Sequence, residues 1–166
     1  MKKFGCAQFT VVFFLICVVI FGGLFFIINS LLDGMFKDQV LSELPKYKDC
    51  VEFETNDETD YLTFRKYIFD DKVNASIPKS DYLKKVTEAD FEEIGLHLDH
   101  YENWVKEKGY DGYDFSRDAI NQGDSFYLKN KETFEAYESL PEKFSAYTIY
   151  YFDAETKTLY YMGYNI

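Results

Sequence analysis

The chain has few of the residues from which catalytic sites are usually built. Its 166 residues include only two histidines and three cysteines. No serine stands in the G-x-S-x-G turn of α/β hydrolases, and no G-x-x-x-x-G-K-[ST] loop is present to hold phosphate groups. The sequence therefore excludes these motif-defined enzyme classes, and the leading interpretation has no catalytic residue, no metal and no cofactor.

Cysteine is too scarce for a disulfide framework. Cys6 and Cys17 belong to the apolar N-terminal segment, which leaves Cys50 as the single cysteine after residue 30. Domains held together by disulfides carry several pairs, so a fold of that kind is excluded. Cys50 is expected to be a buried thiol, and the alternatives are a disulfide to a second copy of the chain or a reactive thiol.

Acidic residues are absent from the first 30 positions, which contain two lysines. From Phe9 to Ile28 the only polar side chain is that of Thr10. A helix of this length spans roughly 30 Å, the thickness of the hydrocarbon core of a bilayer. The pattern predicts a transmembrane helix at residues 9–28, with residues 1–8 in the cytoplasm because Lys2 and Lys3 precede the apolar run. A cleaved signal peptide is the main alternative, but the run is long and no small-x-small site closes it.

The remainder of the chain is strongly acidic. The formal charge of the whole chain is −11, and since the first 30 residues hold two lysines and no acid, residues 31–166 carry −13. Such a surface repels nucleic-acid phosphates and anionic lipid headgroups. Nucleic-acid binding is therefore disfavoured, and the charge suits a basic protein partner or dissolved cations. The alternative is a solvated surface with no specific partner.

Hydrophobic periodicity predicts an α+β domain. Residues 29–49 are a connector that includes a helix near 31–45, and residues 50–166 form the domain. Alternating patterns predict five strands of mainly antiparallel character, and a 3.6-residue stripe predicts one main amphipathic helix packed on the sheet. The strands are expected at 50–55, 61–69, 125–128, 146–152 and 158–164, the helix at 87–108, and at most a short helix within 130–144.

The two histidines lie three residues apart on the predicted main helix. Glu93, His97 and His100 fall on one helical face, where three ligands on one side could hold zinc and leave a fourth place for water. The spacing is not that of H-E-x-x-H, since no glutamate stands between the histidines. The structural alternative is that His97 covers the helix flank beside Trp104 while His100 faces water.

Aromatic residues are the main compositional excess. Residues 31–166 contain all 15 tyrosines, 10 of the 17 phenylalanines and the single tryptophan. Neighbouring strand residues point to opposite faces of a sheet, so the pairs Tyr150–Tyr151 and Tyr160–Tyr161 are expected to place rings on both faces. One face must meet the helix. The other is either covered or left as an aromatic surface suited to protein recognition, in which tyrosine is enriched.

Four stretches carry a resemblance to known proteins. The segments "VTEADFEEI", "HYENWV", "YDFSRDAINQGDSFYL" and "YTIYYFDAETKTLYYMGYNI" together resemble small, uncharacterised membrane-anchored or lipoprotein-like proteins of Gram-positive bacteria. The resemblance covers about residues 86–166. It implies a setting in the bacterial envelope and brings no activity, cofactor or site residue with it.

The sequence thus predicts a single-pass membrane protein with a signal anchor, held in the lipid bilayer through Phe9 to Ile28. Its acidic, aromatic-rich domain is expected outside the cytoplasm, where it binds a protein in an accessory or immunity-type role. The alternatives are a metal-binding or metal-dependent hydrolytic domain using Glu93, His97 and His100, and a domain that binds cell-wall carbohydrate.

Overall fold

The computed structural model describes residues 38–55, 61–130 and 146–165, together with Val19 and Gly23. The chain divides between Gln39 and Val40 into two units. Within the described residues, no helix combines the length and apolar character needed to cross a bilayer. The transmembrane helix predicted at Phe9 to Ile28 lies outside them except for Val19 and Gly23, which are helical.

The second unit contains one antiparallel sheet of six strands. Along the sheet the order is β1-β2-β6-β5-β4-β3, and every neighbouring pair is antiparallel. The strands are β1 (Asp49–Glu54), β2 (Tyr61–Ile68), β3 (Lys84–Lys85), β4 (Ser125–Asn130), β5 (Ala146–Asp153) and β6 (Thr158–Asn165). The predicted α+β class with a mainly antiparallel sheet is confirmed. The expected number of strands was one too low, because a two-residue strand such as β3 shows no alternation.

From residue 38 onwards the described residues include two α-helices. The short helix α1 (Gln39–Glu43) is the described part of the helix predicted near 31–45. The main helix α2 (Phe91–Glu107) follows a 3₁₀ turn at Glu88–Asp90. The short helix considered within 130–144 falls on residues that the structure does not describe, apart from Asn130.

The start and end of α2 follow from local side-chain chemistry. The backbone N–H and the hydroxyl of Thr87 both donate to the carboxylate of Asp90, at 2.9 and 2.6 Å. These bonds lower the pKa of Asp90 and fix the chain where it enters the helix. At the other end Gly109 has φ +70°, a left-handed conformation that glycine adopts without steric cost.

Each face of the sheet has its own hydrophobic cluster. On one face α2 and the loop 110–124 cover the sheet. Of the apolar stripe predicted at Phe91, Ile94, Leu98, Tyr101 and Val105, the last four are buried and Phe91 is half-buried. The opposite face is partly covered by α1 and by two 3₁₀ helices at Asp71–Ala75 and Ile77–Lys79. The buried side chains that these elements and their flanking residues contribute are Val40, Leu44, Phe69, Val73, Ile77 and Leu83.

The C-terminal hairpin occupies the middle of the sheet. Strand β6 pairs with β2 on one side and with β5 on the other, and β5 in turn pairs with β4. A four-residue turn joins β5 to β6, and its last residue, Lys157, has φ +58°. The side chain of Asp153 fixes this turn by accepting bonds from the backbone of Glu155 and Thr156 at 2.8 and 3.1 Å.

Candidate functional site

The two adjacent tyrosine pairs are divided between the faces of the sheet. Tyr151 and Tyr160 belong to the cluster under α2, whereas Tyr150 and Tyr161 lie on the opposite face. This is the division that strand alternation predicts. We refer to the face away from α2 as the second face.

A continuous line of side chains crosses the second face on five adjacent strands. Glu52 of β1 is directly opposite Arg65 of β2, Arg65 is opposite Tyr161 of β6, and Tyr161 is opposite Tyr150 of β5. Tyr150 is in turn opposite Tyr127 of β4. We call these five residues the cross-strand row. Directly opposite residues of an antiparallel pair are the closest side-chain neighbours in a sheet, so the row forms one contiguous surface.

The members of the row contact one another. The ring centres of Tyr127 and Tyr150 are 6.0 Å apart, and those of Tyr150 and Tyr161 are 5.1 Å apart at an interplanar angle of 79°. The guanidinium carbon of Arg65 lies 5.4 Å from the centre of the Tyr161 ring. Its Nη2 atom is 2.5 Å from Oε1 of Glu52. The row therefore joins three aromatic rings to a cation that is held by a carboxylate.

Arg65 keeps its charge despite being partly buried. Desolvation acts to lower the pKa of the guanidinium, but the hydrogen bond that Arg65 donates to Glu52 and the Coulomb attraction of Tyr67 and Glu52 raise it above its ordinary value. A second carboxylate, that of Glu54, lies 3.9 Å from the same guanidinium nitrogen. The β1 end of the row is thus a fixed cation between two acids.

The row lies between buried residues of the second face, because Thr63 and Thr148, on the side of the row away from α1, are also buried. On the side of α1 and the 3₁₀ helices, the neighbouring sheet residues Phe152 and Leu159 are buried in the second cluster. Within the row, Tyr150 is 8% exposed, while Tyr161 and Tyr127 are half-buried. The second face is therefore neither wholly covered nor wholly exposed, because buried side chains lie next to two tyrosine rings that are partly exposed.

Gly163 explains how the Tyr161 ring is accommodated. A Cβ atom built on Gly163 would lie 3.1 Å from the hydroxyl oxygen of Tyr161 and 3.2 Å from one of its ring carbons. The ring therefore leans along its own strand over Gly163. A larger residue at position 163 would have to push this ring aside, because contacts of this length are tighter than ordinary carbon contacts.

The structure does not assemble the zinc ligands considered from the sequence. His97 is only 1% exposed, and its Nδ1 atom lies 2.8 Å from the backbone carbonyl oxygen of Glu93. Glu93 itself is exposed. His100 is half-buried, and its Nδ1 atom lies 2.9 Å from the hydroxyl of Tyr147. Nowhere in the described part of the chain do three or more His, Cys, Asp or Glu side chains form a group suited to a metal ion.

His100 is half-buried among aromatic rings. Its ring centre is 4.8 Å from that of Tyr164 in an edge-on arrangement and 5.8 Å from that of Tyr147. His97 makes a similar edge-on contact with Tyr147 at 5.0 Å. The expectation that His100 faces water holds only in part, because the C-terminal strands place tyrosines against this flank of α2 and leave the residue half-buried.

Acid should weaken the domain through His100. Burial, with a smaller contribution from His97, lowers the pKa of His100, so the folded state favours the neutral ring. The stability that the neutral ring provides is fully present above about pH 6.5, the pKa of histidine in the unfolded chain. It is lost as the pH falls towards the lower pKa of His100 in the folded state. We expect the urea midpoint of the natural protein to fall more between pH 7.5 and pH 5 than that of His100→Gln. Equal falls in the two proteins would contradict this assignment, since the carboxylates titrate in both.

The surroundings of Cys50 do not favour a reactive thiol. The residue is half-buried, not fully buried as expected, and it forms no disulfide. Burial raises the pKa of its thiol, and the nearby carboxylate of Glu52 raises it further. Because the thiolate is the reactive form, this environment disfavours a nucleophilic role.

A buried carboxylate that the sequence did not single out ties the loop 110–124 to the central strands. Asp124 is 5% exposed and accepts a bond from the hydroxyl of Tyr151 at 2.7 Å and another from the backbone N–H of Ala154 at 2.9 Å. The Tyr151 hydroxyl also accepts a bond from the backbone N–H of Asn121 at 2.9 Å. All of these partners lie in the fold itself, so the network is structural.

Comparison of the chain with models of protein families, with curated proteins and with solved structures finds no match.

Proposed function

We propose that this chain is a single-pass membrane protein of the bacterial envelope that binds another protein through the second face of its sheet. Phe9 to Ile28 would anchor it in the bilayer, with the N-terminus in the cytoplasm and the domain outside. The observation that carries the proposal is the cross-strand row, which presents two half-buried tyrosines, Tyr161 and Tyr127, on a rigid sheet.

The chemistry of the row suits protein recognition. Tyrosine and arginine are enriched at the residues that dominate protein interfaces, because they combine a large apolar surface with a polar group. In the row these two residue types touch, since Arg65 lies over the ring of Tyr161. The sheet holds both side chains in place before any partner arrives, which lowers the entropy lost on binding. The charge of −13 on residues 31–166 favours a basic partner.

The proposal can be tested by affinity capture with the full-length protein in detergent. Tyr161→Ala removes the central ring of the row, and Tyr47→Ala removes a ring that is 41% exposed and lies outside it. We expect the natural protein and Tyr47→Ala to capture the same envelope protein, and Tyr161→Ala to capture at least about tenfold less, a loss of about 1.4 kcal/mol. The bound protein is then purified and its affinity for the three forms measured directly.

Two results would contradict the proposal. One is capture no greater than that by an unrelated membrane protein of matched negative charge. The other is equal loss of binding in Tyr161→Ala and Tyr47→Ala. If the purified protein is instead retained on cell-wall glycans, and Tyr161→Ala abolishes that retention, the carbohydrate alternative replaces the protein-binding one.

A further inference from the structure

Strand β1 forms one edge of the sheet. Its inner side pairs with β2, and no described residue pairs with its outer side. The backbone N–H of Thr55 donates to the carbonyl of Leu62 at 3.0 Å, in the same register as the strand pairs. Hydrogen-bonded residues alternate along an antiparallel pair, so Phe53 and Val51 also bond inward and Glu52 and Glu54 direct their backbone groups outward.

The outer side of β1 also has an alternating pattern of side chains. Glu52 and Glu54 lie on the second face, with side chains 49% and 48% exposed. Val51 and Phe53 lie on the other face, and Val51 is 44% exposed. Among the described residues, Arg65 is the one cation that contacts the two glutamates. The edge therefore presents two accessible carboxylates on one face and an apolar strip on the other.

A second copy of the chain fits this edge poorly. Antiparallel pairing of β1 with itself would bring the carboxylates of the two copies together, in domains that each carry −13. The opposite edge of the sheet, β3, does contain two lysines, but their ammonium groups are already engaged. Lys84 lies 3.3 Å from Asp90 and over the ring of Phe126, and Lys85 donates to the carbonyl of Gly123.

We propose that β1 accepts an extended segment of a basic partner protein as a seventh strand. The segment would place lysine or arginine opposite Glu54 and Glu52, and apolar residues opposite Phe53 and Val51. Its sequence signature is thus basic-apolar-basic-apolar. Main-chain bonds to the outward groups of β1 would supply affinity, and the alternating side chains would supply selectivity. This inference rests on the proposed function, because it specifies how part of the partner is held.

The direct test uses a synthetic peptide and the full-length protein in detergent micelles. The probe is a capped octapeptide in which lysine and valine alternate. The first control has the same composition with lysines and valines in separate blocks. The second control is the alternating peptide with N-methyl groups on the backbone nitrogens of one edge, which removes hydrogen-bond donors and keeps every side chain. We expect each control to bind at least about tenfold more weakly than the probe by calorimetry. Equal binding by the probe and both controls would overturn the proposal.

Protein variants locate the binding site. In Glu52→Gln/Glu54→Gln the probe should bind about tenfold more weakly, because two partner charges are lost. The matched control Glu93→Gln/Glu107→Gln changes the net charge equally at two exposed positions on α2 and should bind as the natural protein does. Equal weakening in both double variants would show that only long-range charge acts, and would overturn the proposal.

Backbone pairing is tested at Glu52. Glu52→Pro removes an outward N–H without removing a bond to β2, a position at which an edge strand tolerates proline. We expect the probe to lose at least about tenfold in affinity, with an unchanged unfolding midpoint. If this variant does not fold, the N-methylated peptide still decides the question. Formation of dimers that Glu52→Pro abolishes would assign the edge to a second copy and overturn the proposal.

An experiment can distinguish failure of the β1 proposal from failure of the proposed function. If the envelope partner is captured by Glu52→Pro as well as by the natural protein, but not by Tyr161→Ala, the inference about β1 is wrong and the second face is still the binding surface.

Discussion

Above about pH 10 the domain is expected to lose stability steeply and to unfold cooperatively within about one to four pH units. The cause lies in Tyr101, Tyr147 and Tyr151, whose side chains are fully buried, each with a relative exposure of 0%. Burial raises the pKa of all three well above the ordinary value of a tyrosine. Each hydroxyl is also a hydrogen-bond donor, to the Thr63 carbonyl, the His97 carbonyl and the Asp124 carboxylate respectively.

The loss of stability at high pH follows from the raised pKa values of these three tyrosines. A group with a raised folded-state pKa contributes its full stability below its unfolded pKa, about 10 for tyrosine, and loses it as the pH rises further. Each such group costs about 1.4 kcal/mol per pH unit, so three cost about 4 kcal/mol per unit. A domain with a typical stability of about 5–15 kcal/mol is therefore unfolded within about one to four pH units.

Two signals measured together test this expectation. Phenolate absorbance reports ionisation of tyrosine, and far-ultraviolet circular dichroism reports the fold. For the buried tyrosines both should change in one step. Tyr101→Phe removes one ionisable group and should reduce the pH slope of stability by about 1.4 kcal/mol per pH unit. Phe152→Leu alters a buried ring that cannot ionise, so it should lower stability equally at each pH. Ionisation of every tyrosine near pH 10 with an unchanged fold would contradict the burial described here.

Replacing Asp124 should have the second large effect. In Asp124→Ala the backbone N–H of Ala154 and the hydroxyl of Tyr151 lose a charged acceptor inside the protein. A buried group left without its partner costs about 1–3 kcal/mol, so we expect the free energy of unfolding to fall by about 2–4 kcal/mol. Asp118→Ala makes the same change at an exposed position of the same loop and should shift stability by less than about 0.5 kcal/mol.

A double-mutant cycle separates the hydrogen bond from other consequences of the change. Tyr151→Phe removes the donor and keeps the ring, so it should cost less than Asp124→Ala. In the double variant the two losses should not add, and the difference is expected to be about 1–3 kcal/mol. Urea denaturation of the four proteins provides the measurement. Additive losses, or an Asp124→Ala variant as stable as Asp118→Ala, would show that the network does not stabilise the fold.

Local patterns in the sequence were sufficient to predict most of the elements. The alternation in β2, β5 and β6 and the stripe of α2 are each decided by residues close together in the chain, and so is the cap at Thr87. Strand β3 could not be predicted in this way, because its two residues pair only where β4 passes beside them.

The cross-strand row could not be predicted from the same patterns. Alternation places Tyr150 and Tyr161 on one face, but only the register of the strands brings Tyr161 beside Arg65. Register depends on turn geometry, and a shift of one residue would move a whole strand to the other face. Asp124 is one of 29 acidic residues, and nothing in its neighbours marks it as buried. His97 was placed at the margin of the helical stripe, and the rings of the last two strands widen the buried area enough to include it.

The order of the strands has a consequence for how the protein is made. Among the strands of this sheet β5 and β6 are synthesised last, yet they stand between β2 and β4. The strands made earlier therefore wait without their central partners until the ribosome has translated the C-terminal hairpin. Domains commonly begin to fold as they are synthesised, but this sheet can close only after β5 and β6 have been translated. A chain that must cross a membrane before folding would gain from this delay, and a chain broken after Asp153 would be left with a sheet in two separate halves.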